Sequence, residues 1–399
     1  MTTLSLPKGY RFAGVHCGLK SDPNVLDLSL VVSDVPATVA GVYSQHIVCG
    51  APVVVDRPRT PGTGFKAMVA NSRIANDCTG EQGVRDAHEM TALAAQYADA
   101  KPDKALVMST GVIGIMLPME KVRVGIADAA KQLSDDEESF MRAARGIMTT
   151  DTVEKIASRQ ITLHSGETVT LAGFCKGAAM IAPNMRTMLA MLMTDLALEP
   201  EMAQTLLSEV VDVSFNCISV DGHTSPSDTV LLYANGAAVT TPPTGGDMEK
   251  FAEALRDLCI ELAVKIPSDG EGVSHLITMD VRGCHTWEDA RTIAKKVAED
   301  VLVKTAICGA DPNWGRIISA VGTAGVPFDP KGVSLKINGF DMFGNGEPLP
   351  FDKATVAQSI RSNWNTHFLL TFREGNAAIR FWTTDLTTEY VRLNSDYTT

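Results

Sequence analysis

The sequence predicts an α/β protein that ends in a smaller α+β unit. Two patterns carry that expectation: short apolar runs of strand length alternate with helical spacing through the earlier part of the chain, and the region after Gly283 joins a helix to a strong hairpin signal. A chain of 399 residues, 45% hydrophobic and 21% charged, can bury a sizeable core and lies outside the disordered classes.

Leu26–Val32, Val39–Tyr43 and Ala51–Val55 read as strands, closed by a Pro/Gly-rich loop at Pro58–Gly64. Ala67–Ala70 and Ala105–Met108 read as buried strands, with helical spacing over Gln82–Ala98 between them. Ile161–Leu163 and Val169–Leu171 flank Ser165-Gly166 as a hairpin that delivers the chain into Lys176-Gly177. Met185–Ala197 is apolar and of helix length. Phe251, Leu255, Leu258, Leu262 and Ile266 mark one face of a helix beginning near Asp247. Thr286 with Asp289 forms a capping-box pattern before a helix that runs to about Leu302, and Asn338-Gly339 turns Val333–Ile337 into Asp341–Phe343. No internal repeat, low-complexity tract or long charge run interrupts this order.

A formal charge of −12 argues against a partner held by phosphate contacts, which need a basic surface. Neither a basic-then-apolar leader nor an apolar run of membrane-spanning length is found, so the expectation is a cytoplasmic protein that engages neither nucleic acid nor membrane. The 8 cysteines include no C-x-x-C pair and read as reduced, mostly buried thiols.

Four segments carry more glycine and small polar residues than a core needs: Asn71–Gly80, Ser109–Gly114, Lys176–Thr187 and Ser268–Gly272. Ser109–Gly114 fits either a backbone nest for a negative oxygen or a plain turn with Ser109 or Thr110 capping a helix. Thr187 fits a helix N-cap before the apolar run, and Ser268–Gly272 fits a solvated turn. There is no G-x-S-x-G, P-loop, G-x-G-x-x-G after a strand, or H-E-x-x-H, while a Cys/His pair stays open because such partners meet only in the fold.

Taken together, PKGY at 7–10, STGVIG at 109–114, IMTTDT at 147–152, KGAAMIAPNMRTML at 176–189, SDGEG at 268–272, GADPNWGR at 309–316 and the terminal VRLNSDYTT resemble the ornithine acetyltransferase family, nearly end to end. The resemblance implies an αββα sandwich with a smaller C-terminal α+β domain: residues 1–186 as an α chain holding the first half of the core, 187–282 the second half, and 283–399 a unit that completes the pocket. It implies self-cleavage of the Arg186-Thr187 bond, after which the Thr187 hydroxyl accepts the acyl group. Thr110 and Gly111 match the oxyanion-stabilising pair. Thr149, Lys176, Thr187, Glu271, Asn394 and Thr399 match substrate-binding positions. N-acetylornithine and glutamate are the implied substrates, with acetyl-CoA used by some members, in an assembly of two α and two β chains without metal or organic cofactor. The chain departs from the family in carrying Arg186 where alanine is usual, and in bulkier or differently charged residues at Asn71–Cys78 and Asp221–Asp228. A paralogue of specialised metabolism, an amide hydrolase of the same superfamily, and an uncut non-catalytic homologue are the competing readings.

Overall fold

The structure, a computed structural model, describes residues 4–182 and 188–396. Strands β1 (Tyr10–Val15), β2 (Leu28–Tyr43), β3 (Gly62–Asn71), β4 (Ala105–Ser109), β5 (Lys155–Thr162), β6 (Thr168–Lys176), β7 (Leu189–Leu196) and β8 (Thr229–Val239) form one sheet in the order β4-β3-β2-β8-β7-β6-β5, with β1 beside β2. Helices α1 (Ala51–Asp56), α2 (Gly80–Tyr97), α3 (Met119–Lys131), α4 (Glu137–Gly146) and α5 (Pro200–Asp212) lie between these strands in the chain, and α6 (Gly246–Ser268) follows β8.

The long strand β2 folds this sheet into two layers. Its first half pairs with β1 and β3, its register breaks between Val32 and Val39, and its second half pairs with β8. One apolar cluster fills the space between the layers, where Met68, Ala70, Leu106 and Met108 meet Ala172, Phe174, Met191 and Tyr233. The alternate residues of the same strands point outward: Ala67, Val69 and Val107 pack on Ala87 and Met90 of α2 and Val122 and Ile126 of α3. On the other side Leu192, Val230 and Leu232 pack on Leu207 of α5 and on Phe251, Leu255, Leu258, Leu262 and Ile266 of α6. Period-two alternation with apolar groups on both faces thus builds the helix-sheet-sheet-helix sandwich that was expected.

The second unit is a sheet ordered β12-β11-β10-β13-β9-β14, built from β9 (Leu276–Cys284), β10 (Ser334–Ile337), β11 (Phe340–Gly344), β12 (Glu347–Pro348), β13 (Asn365–Thr371) and β14 (Ala377–Thr384). Its helices are α7 (Trp287–Ala298), α8 (Val301–Cys308), α9 (Trp314–Gly322), α10 (Lys353–Ser362) and α11 (Thr388–Asp396). Because β9 runs through residue 283, this unit starts some residues earlier than that position. The capping box of Thr286 and Asp289 is present, and Asn338 (φ 48°) with Gly339 (φ 85°) forms the turn between β10 and β11.

Three expectations are corrected. Ala51–Val55 is helix, not strand: Pro52 pre-sets the first turn and lacks the N–H that a ladder needs, while Asp56 accepts the Val107 N–H at 2.9 Å. The apolar run after residue 187 is the central strand β7, buried on both faces, and a continuous apolar run carries no period to separate it from a helix. The helix expected to reach Leu302 stops at Ala298, because Asp300 accepts from the Leu302 and Val303 N–H groups and caps a new helix. Four cysteines are buried, three are half-buried and Cys78 is exposed. Among the described residues no helix is long and apolar enough to cross a membrane.

Candidate active site

A pocket of about 760 Å³ opens where loops from both halves of the sandwich meet the C-terminal helix α11. Thr110, Gly111, Thr149, Lys176, Glu271 and Asn394 all stand on its wall. Arg186, Thr187 and Thr399 lie outside the described residues.

Thr110 and Gly111 follow β4 on a loop clamped to the one that follows β3. The Thr110 N–H donates to the Asn71 carbonyl at 3.1 Å, the Val112 N–H to Arg73 at 2.9 Å, and the Ala75 N–H to Val112 at 3.0 Å. No helix follows for Ser109 or Thr110 to cap; the next one begins at Met119. Gly111 has a φ of 131°, and a Cβ there would stand 2.1 Å from the Arg73 carbonyl carbon, so only glycine permits this approach.

A buried ion-pair network fixes the pocket wall around Thr149 and Lys176. Lys155 Nζ bridges Asp151 at 2.7 Å and Asp269 at 2.5 Å; Asp151 also accepts the Gly177 N–H at 2.7 Å and the Thr149 N–H at 2.9 Å, and Asp269 accepts the Thr152 N–H at 2.9 Å. Burial opposes the Lys155 charge, yet the two carboxylates outweigh it and its pKa is raised. These bonds tie the loops at 149–152, 176–177 and 268–272 into one rigid unit, so Asp269 is no solvated turn residue. The Lys176 ammonium, 3.3 Å from Thr149 Oγ1, has its pKa lowered by burial.

Glu271 is held by its own N–H on the Ala178 carbonyl at 3.0 Å, and its carboxylate accepts from Asn394 Nδ2 at 2.8 Å. Helix α11 is fastened further by Tyr390, whose hydroxyl donates to Asp221 at 3.0 Å. Asp221 also accepts the Met180 and Ile181 N–H groups at 2.7 and 3.0 Å, and Asp228 accepts the Met188 N–H. One loop, 221–228, therefore pins the chain on both sides of 183–187 beside the pocket.

Asp77 sits on the same wall with a partner the sequence did not reveal. The Ser227 hydroxyl donates to its Oδ2, while its buried Oδ1 has no hydrogen-bond donor among the described residues and occupies space that only a glycine at position 50 leaves open. Burial pushes its pKa from 3.8 to about 7 against the Ser227 bond. In the unfolded chain this acid ionises near 3.8, so the stability its neutral form lends is complete below that pH and is lost as pH rises through 7. A shift of this size corresponds to about 4 kcal/mol. An Asp77→Asn protein is therefore expected to melt close to the parent below about pH 4 and increasingly above it as pH rises to 8; a melting difference constant from pH 4 to 8 would show that Asp77 ionises freely in the fold.

Lys20, Arg73, Asp77, Asp221, Ser227 and Tyr390 are pocket residues that the sequence did not single out individually. Four of them lie in the two segments, Asn71–Cys78 and Asp221–Asp228, that depart from the family pattern, and that departure was the available signal. Among the described residues the pocket wall carries no cysteine, and burial pushes Cys175 and Cys217 up to about 12, away from thiolate chemistry.

The sequence profile of the ArgJ family matches residues 11–399. An arginine biosynthesis bifunctional protein ArgJ from Rhodopirellula baltica is 44% identical, with 100% of this chain and 97% of that protein covered. The protein of the same name from Thermotoga neapolitana is 41% identical, covering 99% of this chain and 100% of its own length. A crystal structure of arginine biosynthesis bifunctional protein ArgJ from Bacillus halodurans superposes with a TM-score of 0.51 at 34% identity, covering 52% of this chain but 98% of the solved one.

Proposed function

This chain belongs to the ArgJ family, and from that premise we propose that it works through Thr187, exposed as a new N-terminus when the Arg186-Thr187 bond is cut by the chain itself. It is an acyltransferase of arginine biosynthesis, a glutamate N-acetyltransferase that moves acetyl from N2-acetyl-L-ornithine to L-glutamate. The observation that carries the site assignment is the meeting of Thr110, Gly111, Thr149, Lys176, Glu271 and Asn394, from three separate loops, the end of a strand and a helix, on one pocket wall. One further fact supports the cut: the chain on either side of 183–187 is pinned beside that pocket.

In the self-cutting step Thr187 Oγ adds to the Arg186 carbonyl carbon, the peptide C–N bond breaks as the ester C–O bond remains, and water then hydrolyses the ester. This frees an α-amine with a pKa of about 7.7 to 8, partly neutral at cellular pH and placed to take the proton from Thr187 Oγ. The hydroxyl attacks the acetyl carbonyl, ornithine leaves with the proton, and an acetyl ester stays on Thr187. The glutamate amine attacks that ester, releasing N-acetylglutamate and returning a proton to Oγ. Each step passes through an oxyanion, which the Gly111 N–H and a Thr110 donor stabilise. Lys176 with Thr149 takes a substrate carboxylate, and Glu271 with Asn394 takes the ammonium of ornithine; Thr399 is a further substrate-binding residue. The active form is an assembly of two chains ending at Arg186 and two beginning at Thr187, and acetyl-CoA is a second acyl source.

Intact mass and a transfer assay test this together. Two fragments splitting before Thr187, with acetyl passing from N-acetylornithine to glutamate, are expected. Hydrolysis without transfer would leave the amide-hydrolase reading, and one intact inactive chain would leave the uncut homologue.

A further inference from the structure

Every residue of helix α11 is exposed or half-buried, so polar bonds to neighbouring loops, more than packing, fasten it. Thr387, just before the helix, donates from Oγ1 to the Gly272 carbonyl at 2.6 Å, and Asn394 Nδ2 donates to Glu271 at 2.8 Å. The seat is shaped for the helix: Gly272 has a φ of 65°, and a Cβ there would stand 2.6 Å from the Tyr390 nitrogen. Those two bonds end on residues 271 and 272, whereas the Tyr390 hydroxyl crosses to Asp221 Oδ2 at 3.0 Å. Burial first, and the Asp221 carboxylate after it, raise the Tyr390 pKa, so the hydroxyl stays a donor. The oxygen it reaches is shared. Asp221 Oδ2 also accepts the Met180 N–H at 2.7 Å, and Oδ1 accepts those of Ile181 and His223 at 3.0 and 3.1 Å. Met180 has a φ of 58°, in the left-handed region that a methionine adopts only under constraint. Strain of this kind persists where the surroundings hold it, and it marks a conformation that the site uses.

We infer that Tyr390 is a positioning residue for the self-cutting step: by holding the Asp221 carboxylate against the Met180 and Ile181 N–H groups, the docked helix α11 aims the approach to the Arg186-Thr187 bond. The inference rests on the self-cleavage reading above. Attack of a hydroxyl on a carbonyl depends steeply on placement, since the reacting atoms must stand about 3 to 3.5 Å apart and a displacement near 1 Å costs about 10²-fold. A carboxylate released by Tyr390 can turn about its side-chain bonds, and the Met180 backbone can then relax to a negative φ. Upstream the chain is held, by the Gly177 N–H on Asp151 and by the Ala178 carbonyl that accepts the Glu271 N–H. The relaxation is therefore passed toward residue 186. Cutting follows the docking of α11, and Asn394 already stands beside Glu271 when the pocket becomes active.

The test follows freshly synthesised full-length chain over time by denaturing electrophoresis, with the melting temperature measured alongside. Tyr390→Phe removes only the hydroxyl and is expected to be cut about 10- to 100-fold more slowly than the parent. Asp221→Asn puts an NH₂ group in place of an acceptor oxygen, facing N–H or O–H donors, and is expected to slow the cut at least as much. Thr387→Val loosens the same helix without touching Asp221, and is expected to be cut at close to the parent rate even where its melting temperature falls as far. Once cut to completion, the Tyr390→Phe protein should show its remaining loss in KM, through Asn394, rather than in kcat. Cutting of Tyr390→Phe at the parent rate would overturn the inference, and so would an equal delay in Thr387→Val, since loosening the helix would then be the whole effect. A loss falling on kcat alone would put the hydroxyl at the reacting atoms and overturn the positioning role. A parent chain that is never cut would overturn the self-cleavage reading itself, and this inference with it.

Discussion

A Thr187→Ala protein is expected to purify as one uncut chain and to lose acetyl transfer by at least about four orders of magnitude, the scale seen when a covalent nucleophile is removed. Two losses compound. Without Oγ nothing adds to the Arg186 carbonyl, so the α-amine that would act as base is never released, and in turnover no oxygen is left to carry the acetyl group. Thr187→Ser keeps the oxygen and is expected to be cut and to turn over more slowly, because the methyl group that restricts the threonine rotamer is gone. Electrophoresis under denaturing conditions and a transfer assay read both properties on one sample. Substantial transfer by the uncut Thr187→Ala chain would show that the acyl group travels another way.

Much of the fold could be read from the residues because local and global preferences agree there. The α6 face from Phe251 to Ile266, the Asn338-Gly339 turn and the capping box of Thr286 each depend on neighbours within a few positions, and all are present. What could not be read depends on distant partners. β7 is a strand because β6 and β8 flank it, and α1 is a helix because Pro52 starts it and Asp56 reaches β4. The site divides in the same way. The glycine-rich loops were visible as sequence blocks, whereas the Lys155 bridge between Asp151 and Asp269 turns a segment that reads as a solvated turn into a buried anchor. Asp77 and Ser227 form a pair only once β3 and β8 have brought their loops together.

Gly111→Ala is expected to slow both self-cleavage and turnover by 10²- to 10³-fold or more, the typical cost of losing one donor from an oxyanion hole. The reason is geometric. Alanine at φ 131° is strained, and its Cβ would stand 2.1 Å from the Arg73 carbonyl carbon, 2.3 Å from its oxygen and 2.6 Å from the Ile74 nitrogen, all backbone atoms that cannot swing aside as a side chain would. The loop must shift, carrying the residue 111 N–H away from the position where charge develops. The Asn71, Arg73 and Val112 backbone bonds that clamp the loop hold the displacement locally, so the sandwich core should stay folded. A loss confined to transition-state stabilisation lowers kcat while leaving KM near the parent value, and uncut chain should persist for hours after synthesis. Thr110→Val, which replaces the hydroxyl by a methyl group of similar size, should reproduce the kinetic defect with a smaller change in melting temperature. If the Gly111→Ala chain is cut promptly and transfers acetyl at the parent rate, the negative oxygen is held by donors elsewhere on the pocket wall.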